Sequence, residues 1–367
     1  MTATRGATVV VVGAGGSIGS QLVPHLARTP GIGRVVLVDG DRYDERNLWG
    51  QNIRRRDLGH LKVAVQRRVL REIDGTLAVD AIADVVENVP LGRMRGDVVL
   101  GAVDSKGARR SLNTIATRLG MPWIDAGVNG DQRLARVSIY RTDAAAPCHE
   151  CAWDDGDYAL ADTERPCLAG ASWTPTRAPS ALGALAASLQ ALECRRLLAA
   201  EDAFDGAGRE VVVAADTHRM VVTRFARNPD CRFDHRAFAL LPLTPSVATA
   251  TLADAFALAR RALRGDAVEL GVPGHLFATR LTCVRCRNAQ SLAPHLRGRL
   301  DATALACPAC GAAREVGGFD AHERLDPTQP AAVAALPLAR LGLRAGDVVG
   351  ATDGRTVVHF ECGGDAP

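Results

Sequence analysis

The most constraining stretch of this chain is its first. Residues 8–12, Thr-Val-Val-Val-Val, run directly into Gly13-Ala14-Gly15-Gly16-Ser17-Ile18-Gly19-Ser20 and then into the helix-like QLVPHLAR. β-Branched residues favour an extended chain, glycines permit a sharp turn, and the apolar spacing that follows is helical. A strand, a glycine turn and a helix in that order let backbone N–H groups and a helix N-terminus approach a phosphate without Cβ obstruction. The spacing departs from the dinucleotide fingerprint G-x-G-x-x-G, because the third glycine after Gly13 and Gly15 arrives one residue late, at Gly19. The doublet Gly15-Gly16 is its distinctive part.

The pattern then repeats. A buried strand is predicted at 34–39, ending in Asp39-Gly40-Asp41, a helix at 62–72, and further strands at 97–103 and 122–126. Alternating strands and helices predict an α/β fold with a doubly wound, mostly parallel, Rossmann-like sheet. After Gly130 the alternation in RLARVSIYR predicts an antiparallel extension. Residues 145–179, rich in Pro, Cys and Asp, read as largely loop, 180–200 as helix, and 209–215 with 219–225 as a closing hairpin. The stretch LLPLTPS at 240–246 reads as a linker, which divides the chain into domains 1–240 and 241–367. The second, with a helix at 252–263, a strand at 276–282, a cysteine ribbon and a last strand at 357–361, reads as a small C-terminal α+β domain. A chain of 367 residues suits two cores.

With 47% hydrophobic and 23% charged residues the composition is that of an ordinary globular protein. A net charge of +3 gives no whole-molecule attraction to nucleic acid or an acidic membrane. No run of 18 apolar residues is present, so a soluble, cytoplasmic protein is expected. Of the 44 basic side chains only Lys62 and Lys106 are lysines. Base composition explains the scarcity. Lysine nonetheless supplies a compact point charge suited to phosphate, where arginine supplies a planar fork, and Lys62 stands where that difference counts. Lys106 reads as a solvated loop residue.

Asp39 and Asp41 stand at a strand end, where a carboxylate can accept hydrogen bonds from ribose hydroxyls. Asn47, Gln51 and Lys62 follow at a spacing that carries them over the same strand ends, and Asp104 ends the strand 97–103 at the same edge. A carboxylate there can hold Mg²⁺ while a lysine cradles phosphate. Together with Leu58-Gly59-His60-Leu61-Lys62-Val63, Val103-Asp104-Ser105, Pro147-Cys148-His149-Glu150-Cys151 and the helical SLQALECRRLL, these residues give the chain a clear affinity. Over residues 7–236 it resembles the ThiF/MoeB/HesA family of ubiquitin-activating-enzyme-like adenylyltransferases.

The resemblance implies an ATP site with Gly13, Gly15, Gly16 and Gly19 at the phosphates, Asp39 and Asp41 at the ribose, Gln51 beside them, and Asn47, Lys62 and Asp104 as the catalytic set with Mg²⁺. It implies activation of the C-terminal carboxylate of a ubiquitin-like or sulfur-carrier protein with a diglycine tail, giving an acyl-adenylate and pyrophosphate, and a homodimer. Cys167 occupies the place of the thiol that receives the activated carrier, and the neighbouring Arg165 favours its thiolate. The chain departs from the family at Gly50, where an arginine is usual, with Arg54, Arg55 or Arg56 as substitutes in reach. It also has few residues before its first strand, with Arg5 the one arginine available to reach across a dimer. Two other readings stand beside this one: a nucleotide- or carrier-binding module without turnover, and an NAD-dependent oxidoreductase with structural zinc.

Six of the ten cysteines form C-x-x-C pairs, which points to metal in a reducing compartment. Cys283/Cys286 and Cys307/Cys310, with 20 residues between them, have the spacing of two knuckles closing one tetrahedral zinc site. Cys148 and Cys151 lack a second such pair, and Cys231 with His235 completes a three-cysteine, one-histidine site, with His149 in reserve. Cys194 reads as packing and Cys362 as part of an exposed tail, whose Gly363-Gly364 is not terminal.

Overall fold

The computed structural model describes residues 6–141, 145–163, 178–200 and 208–364. They form two compact units, Met1–Val89 with Met94–Ala237, and Pro90–Arg93 with Phe238–Pro367. The elements of the first unit are β1 (Ala7–Val12), α1 (Gly19–Leu26), β2 (Ile32–Val38), α2 (Lys62–Ile73), β3 (Ala78–Ile82), β4 (Val98–Gly101), α3 (Lys106–Leu119), β5 (Trp123–Asn129), β6 (Leu134–Tyr140), α4 (Asp155–Thr163), α5 (Ser180–Leu198), β7 (Arg209–Ala214) and β8 (Arg219–Arg224).

The eight strands make one sheet in the order β3-β2-β1-β4-β5-β6-β7-β8. Pairing is parallel from β3 to β5 and antiparallel from β5 to β8. This is the doubly wound sheet with an antiparallel extension that the sequence predicts. Val9, Val11, Leu37, Leu100, Ile124, Val137 and Ile139 of the strands share one core with Leu22 and Leu26 of α1 and Leu182, Ala186 and Ala187 of α5. The small residues of α5 let it lie close on the sheet. Its Gln190 side chain donates to the carbonyls of Gly101 and Ile124 at 2.9 and 2.8 Å, which fastens the helix to the ends of β4 and β5.

The stretch 145–179, expected to be largely loop, includes α4 among its described residues. Its apolar periodicity is weak, and it is held from outside: Asp157 pairs with Lys106, and Arg232 lies over the Tyr158 ring at 4.4 Å. Such support comes from residues far away in sequence, so a local reading does not find it.

The second unit contains β9 (Leu240–Ser246), α6 (Leu252–Leu263), β10 (Glu269–Gly271), β11 (Phe277–Cys283), β12 (Ala289–Leu296), α7 (Ala302–Leu305), β13 (Arg314–Glu315), β14 (Ala321–His322), β15 (Arg324–Leu325), α8 (Ala331–Ala334), β16 (Val348–Thr352) and β17 (Val357–Gly363). A five-stranded sheet, β15-β10-β16-β17-β9, is covered by α6 through Leu252, Phe256 and Ala259, which pack with Phe360, Leu338 and Leu341. The ribbon is separate, with β11 between β12 and β13 and also paired with β14.

The predicted linker 240–246 is therefore corrected: it is the edge strand β9, parallel to β17, with Leu243 buried. Pro242 and Pro245 disguised it. Proline cannot donate to a ladder and is tolerated in a strand chiefly at an edge, which is where β9 lies. The segment Pro90–Arg93 also joins this unit, with Gly92 N donating to Gly346 O at 2.8 Å.

Arg299 and Asp347 are 2% and 3% exposed and form an ion pair between the end of β12 and the approach to β16. Arg299 also donates to Gly342 O at 2.9 Å. Arg299→Met leaves Asp347 buried without its cation and should destabilise this unit by about 3–5 kcal/mol. Urea unfolding followed by far-ultraviolet circular dichroism measures it, against an exposed control such as Arg340→Met.

Candidate functional site

Strand order reverses between β1 and β4, and the crevice outside the C-terminal ends of parallel strands at such a reversal is where α/β sheets bind ligands. The glycine loop lies there. Gly13 has φ +78, and a Cβ on it would fall 2.4 Å from the Ala102 carbonyl oxygen. A Cβ on Gly15 would fall 2.4 Å from the Lys62 Cβ, and one on Gly19 would fall 2.1 Å from the Gly13 carbonyl oxygen. The late third glycine is thus required by the closeness of the first turn of α1 to its own loop. From above, the backbone of α5 closes in as well, since a Cβ on Gly183 would fall 2.7 Å from Ser17 O.

Asp39 at the end of β2 gives both carboxylate oxygens to main-chain donors, Gly15 N at 2.9 Å and Asp41 N at 3.1 Å. Burial pushes the Asp39 carboxyl up, while Lys62 and the two amides pull it back towards the ionised form. In this structure Asp39 braces the glycine loop and leaves Asp41 as the exposed carboxylate.

Lys62 opens α2. Its side chain is 9% exposed, against 74% for Asp41, whose Oδ2 accepts from Nζ at 2.9 Å. The Lys62 main-chain N donates to Asp41 O at 2.9 Å, and Nζ lies 5.9 Å from the Tyr43 ring centroid. Beneath it, Tyr43 Oη accepts from the buried Gln66 Nε2 at 2.7 Å. A lysine is rarely this buried unless paired. Here its stem lies along Gly15 and its ammonium reaches the exposed carboxylate of Asp41.

Asn47 lies in the short 3-10 turn Glu45–Trp49, where its Oδ1 accepts from Asp44 N at 2.9 Å. Gln51 N donates to Asn47 O at 2.9 Å, and Asn52 N donates to Ser20 Oγ at 2.9 Å, tying this loop to the start of α1. Gln51 Oε1 is buried with no hydrogen-bond partner among the described residues. An unmet buried acceptor costs about 1–3 kcal/mol, which a donor on a ligand can recover. Gly50 has φ −121, and a Cβ there would meet nothing within 4 Å. Asp104 is exposed in the connection from β4 to α3.

Lys106 departs from the expected solvated loop residue: it begins α3 and pairs with Asp157. Cys167 and Arg165 lie outside the described residues.

Both sets of candidate metal-binding side chains converge. Cys148, Cys151, Cys231 and His235 bring four ligand atoms within 4.8 Å of one another, and so do Cys283, Cys286, Cys307 and Cys310. In the first group Cys151 Sγ is 3.5 Å from His235 Nε2, and Cys148 Sγ is 3.8 Å from Cys231 Sγ. His149 stands apart from them, with Nδ1 at 2.9 Å from Tyr140 Oη, and burial pushes its imidazole down to about 4.

The sequence did not reveal what holds this group. Asn113, fully buried on α3, accepts from His149 N at 3.1 Å and donates to Glu150 Oε1 at 3.0 Å. Arg118, one turn further on, donates to Arg236 O at 2.7 Å and lies 4.8 Å from the Phe233 ring. A polar residue at a buried position of α3 was the available signal. Cys194 and Cys362 are buried thiols, so the reading of Cys362 as exposed is corrected: β17 carries it into the core of the second unit.

Residues 2–233 match the ThiF family. The chain belongs to that family. Among ThiF-like relatives, an adenylyltransferase and sulfurtransferase UBA4 of Kluyveromyces lactis is 30% identical over 150 residues, which is 40% of this chain and 33% of that protein. A ubiquitin-like modifier-activating enzyme 5 of Branchiostoma floridae is 28% identical over 162 residues, 40% of this chain and 39% of that one. The matches therefore span less than half of either relative. A solved structure of E. coli MccB with succinimide has a TM-score of 0.52 at 23% identity, covering 62% of this chain and 66% of MccB, and shows that the fold is shared.

The ThiF glycine loop generates a stability prediction. Gly15→Ala displaces the Lys62 stem and should cost roughly 1–3 kcal/mol. Gly16→Ala should cost less, because its Cβ would stand 3.4 Å from Gly13 O, an ordinary contact. Urea midpoints of the two variants test the order.

Proposed function

We propose that this ThiF-family chain is an ATP-dependent adenylyltransferase that activates the C-terminal carboxylate of a small ubiquitin-like or sulfur-carrier protein with a diglycine tail. The observation that carries the reading is Lys62, buried along Gly15 at the strand-order reversal with its ammonium on exposed Asp41. The glycine loop and Lys62 suit the ATP phosphates, Asp41 the ribose, and Asn47 and Gln51 the flank of the same nucleotide. A carrier carboxylate oxygen attacks the α-phosphorus, the bond to pyrophosphate breaks, and acyl-AMP forms. Such a step needs positioning and charge neutralisation more than covalent participation by the protein. Mg²⁺ is held by few carboxylates together with substrate phosphates, and a single exposed Asp104 fits that habit; the ion would neutralise the leaving pyrophosphate.

Cys167 is proposed as the acceptor thiol for the activated carrier, the cytoplasm as the site of action, and a homodimer as the working form. The chain's own diglycine is a poor candidate for the carrier tail, since Gly363 is paired with Ser246 in the second sheet. The carrier is accordingly a separate protein. No described helix is long and apolar enough to cross a membrane.

Lys62→Ala and Asp104→Ala should each lower carrier-stimulated ATP–pyrophosphate exchange by about 10²-fold or more. Absence of exchange with every small diglycine-tailed protein of the same genome would sink the enzymatic reading. Gly50 favours a second reading, a nucleotide- or carrier-binding module that lacks turnover. Gly50→Arg tests it directly, because the backbone accepts a side chain there. A rise of about ten-fold or more in exchange would identify the missing cation as what limits the natural chain.

The two tetrads are proposed as zinc sites. Three thiolates with one imidazole, and four thiolates, are donor sets that suit Zn²⁺ in closed, structural coordination. Metal analysis of the purified protein should give two zinc ions per chain, falling to one in His235→Ala and in Cys283→Ser. Chelation should lower thermal stability, because binding energy at such sites is folding energy.

A further inference from the structure

The first unit gathers a cluster of charges around one buried carboxylate, and the proposed reaction does not use it. Asp125, on β5, is fully buried. Its two oxygens accept from Arg109 Nε at 3.2 and 3.0 Å, and its Oδ2 also accepts from Arg136 Nη2 at 2.9 Å. Arg136 reaches on to Glu210 through Nη1 at 3.2 Å, and Ser138 Oγ donates to the same carboxylate at 2.7 Å. Asp125, Ser138 and Glu210 are register partners across β5, β6 and β7, so the cluster is a polar row on one face of the sheet. The opposite face carries Ile124, Val137 and Ile139 into the core beneath α5.

A buried carboxylate between two guanidinium groups is costly to assemble and weak support for stability alone. The rest of Arg109 shows what it secures. Its Nη2 donates to the carbonyl of Val103 at 2.7 Å. Val103 immediately precedes Asp104, in a connection whose two ends are also fixed: Ala102 N donates to Val12 O at 2.9 Å, and Ser105 Oγ accepts from Ala108 N at 3.1 Å. The Ala102 carbonyl is the same one that approaches Gly13 too closely to admit a Cβ.

We infer that Arg109 is a positioning residue for Asp104: locked by Asp125 and Arg136, its guanidinium fork holds the Val103 peptide and thereby aims the Asp104 carboxylate beside the glycine loop. Arginine suits the task because one planar group can engage a carboxylate through Nε and a carbonyl through Nη2 in fixed relation. A lysine ammonium cannot span both. The inference rests on the proposed role of Asp104 in holding Mg²⁺ with ATP.

The test is the Mg²⁺ contribution to nucleotide binding, measured by calorimetry as the ratio of the ATP dissociation constant in EDTA to that in Mg²⁺. Arg109→Gln should shrink that ratio about ten-fold, the scale of losing a group that orients a metal ligand, while the constant in EDTA is unchanged. Asp104→Asn should remove the Mg²⁺ contribution, and the double variant should be no worse than Asp104→Asn alone. If Arg109→Gln fails to fold, Asp125→Asn frees the same fork with an isosteric neutral partner and should give the same loss. An undiminished Mg²⁺ ratio in a folded Arg109→Gln or Asp125→Asn protein, with Asp104→Asn showing its loss, overturns the positioning role and leaves the nucleotide reading standing. An undiminished ratio in Asp104→Asn overturns the underlying reading and the inference with it.

Discussion

Close packing onto the bare backbone of the glycine loop is the constraint on which the first unit depends. Three parts of the unit reach this loop at distances where a single added methyl would collide: the end of β4 at Gly13, the first turn of α2 at Gly15, and α5 at Ser17. Each neighbour brings a consequence. The end of β4 leads into Asp104, α2 begins with Lys62, and α5 seals the core beneath. Asp39 then fixes the loop from the side by accepting the Gly15 amide. The sheet order, the burial of a lysine and the exposure of Asp41 all follow from fitting these pieces around a loop with almost no side chains.

Much of this was legible in the residues alone, for reasons that differ by feature. The strand-glycine-helix start could be read because each part is locally encoded, and so could the switch to antiparallel pairing at RLARVSIYR. Alternation of strand and helix pointed to the doubly wound class, whereas the edge strand β3 and the order of the eight strands emerge only in the fold. The failures share a cause as well. Two prolines hide the edge strand β9 in a stretch that reads as a linker, and nothing local marks α4 within a stretch that reads as largely loop, because its support comes from Lys106 and Arg232, distant in sequence. By sequence Asp39 reads as a ribose acceptor, and only the fold could show that both of its oxygens face backbone amides.

The two groups that could hold a metal follow the same division. Cys283, Cys286, Cys307 and Cys310 announced themselves by spacing. The union of Cys148 and Cys151 with Cys231 and His235 needed a guess that a histidine completes a set of thiols, and those four ligand atoms do converge. Asn113 and Arg118, which hold the two halves of that group from one helix, carry no motif. Their significance arises only when residues widely separated in the chain meet.

The four residues Pro90–Arg93 belong to the second unit although they are flanked on both sides by the first. During synthesis the first unit emerges complete well before its successor, since chains fold from the N-terminus as they are made. The segment must therefore wait, unpartnered, until Gly346 leaves the ribosome and Gly92 can pair with it. Maturation of the whole chain is thus gated by its C-terminal third, and a truncation after Ala237 would strip an internal segment of its partners as well as remove a domain.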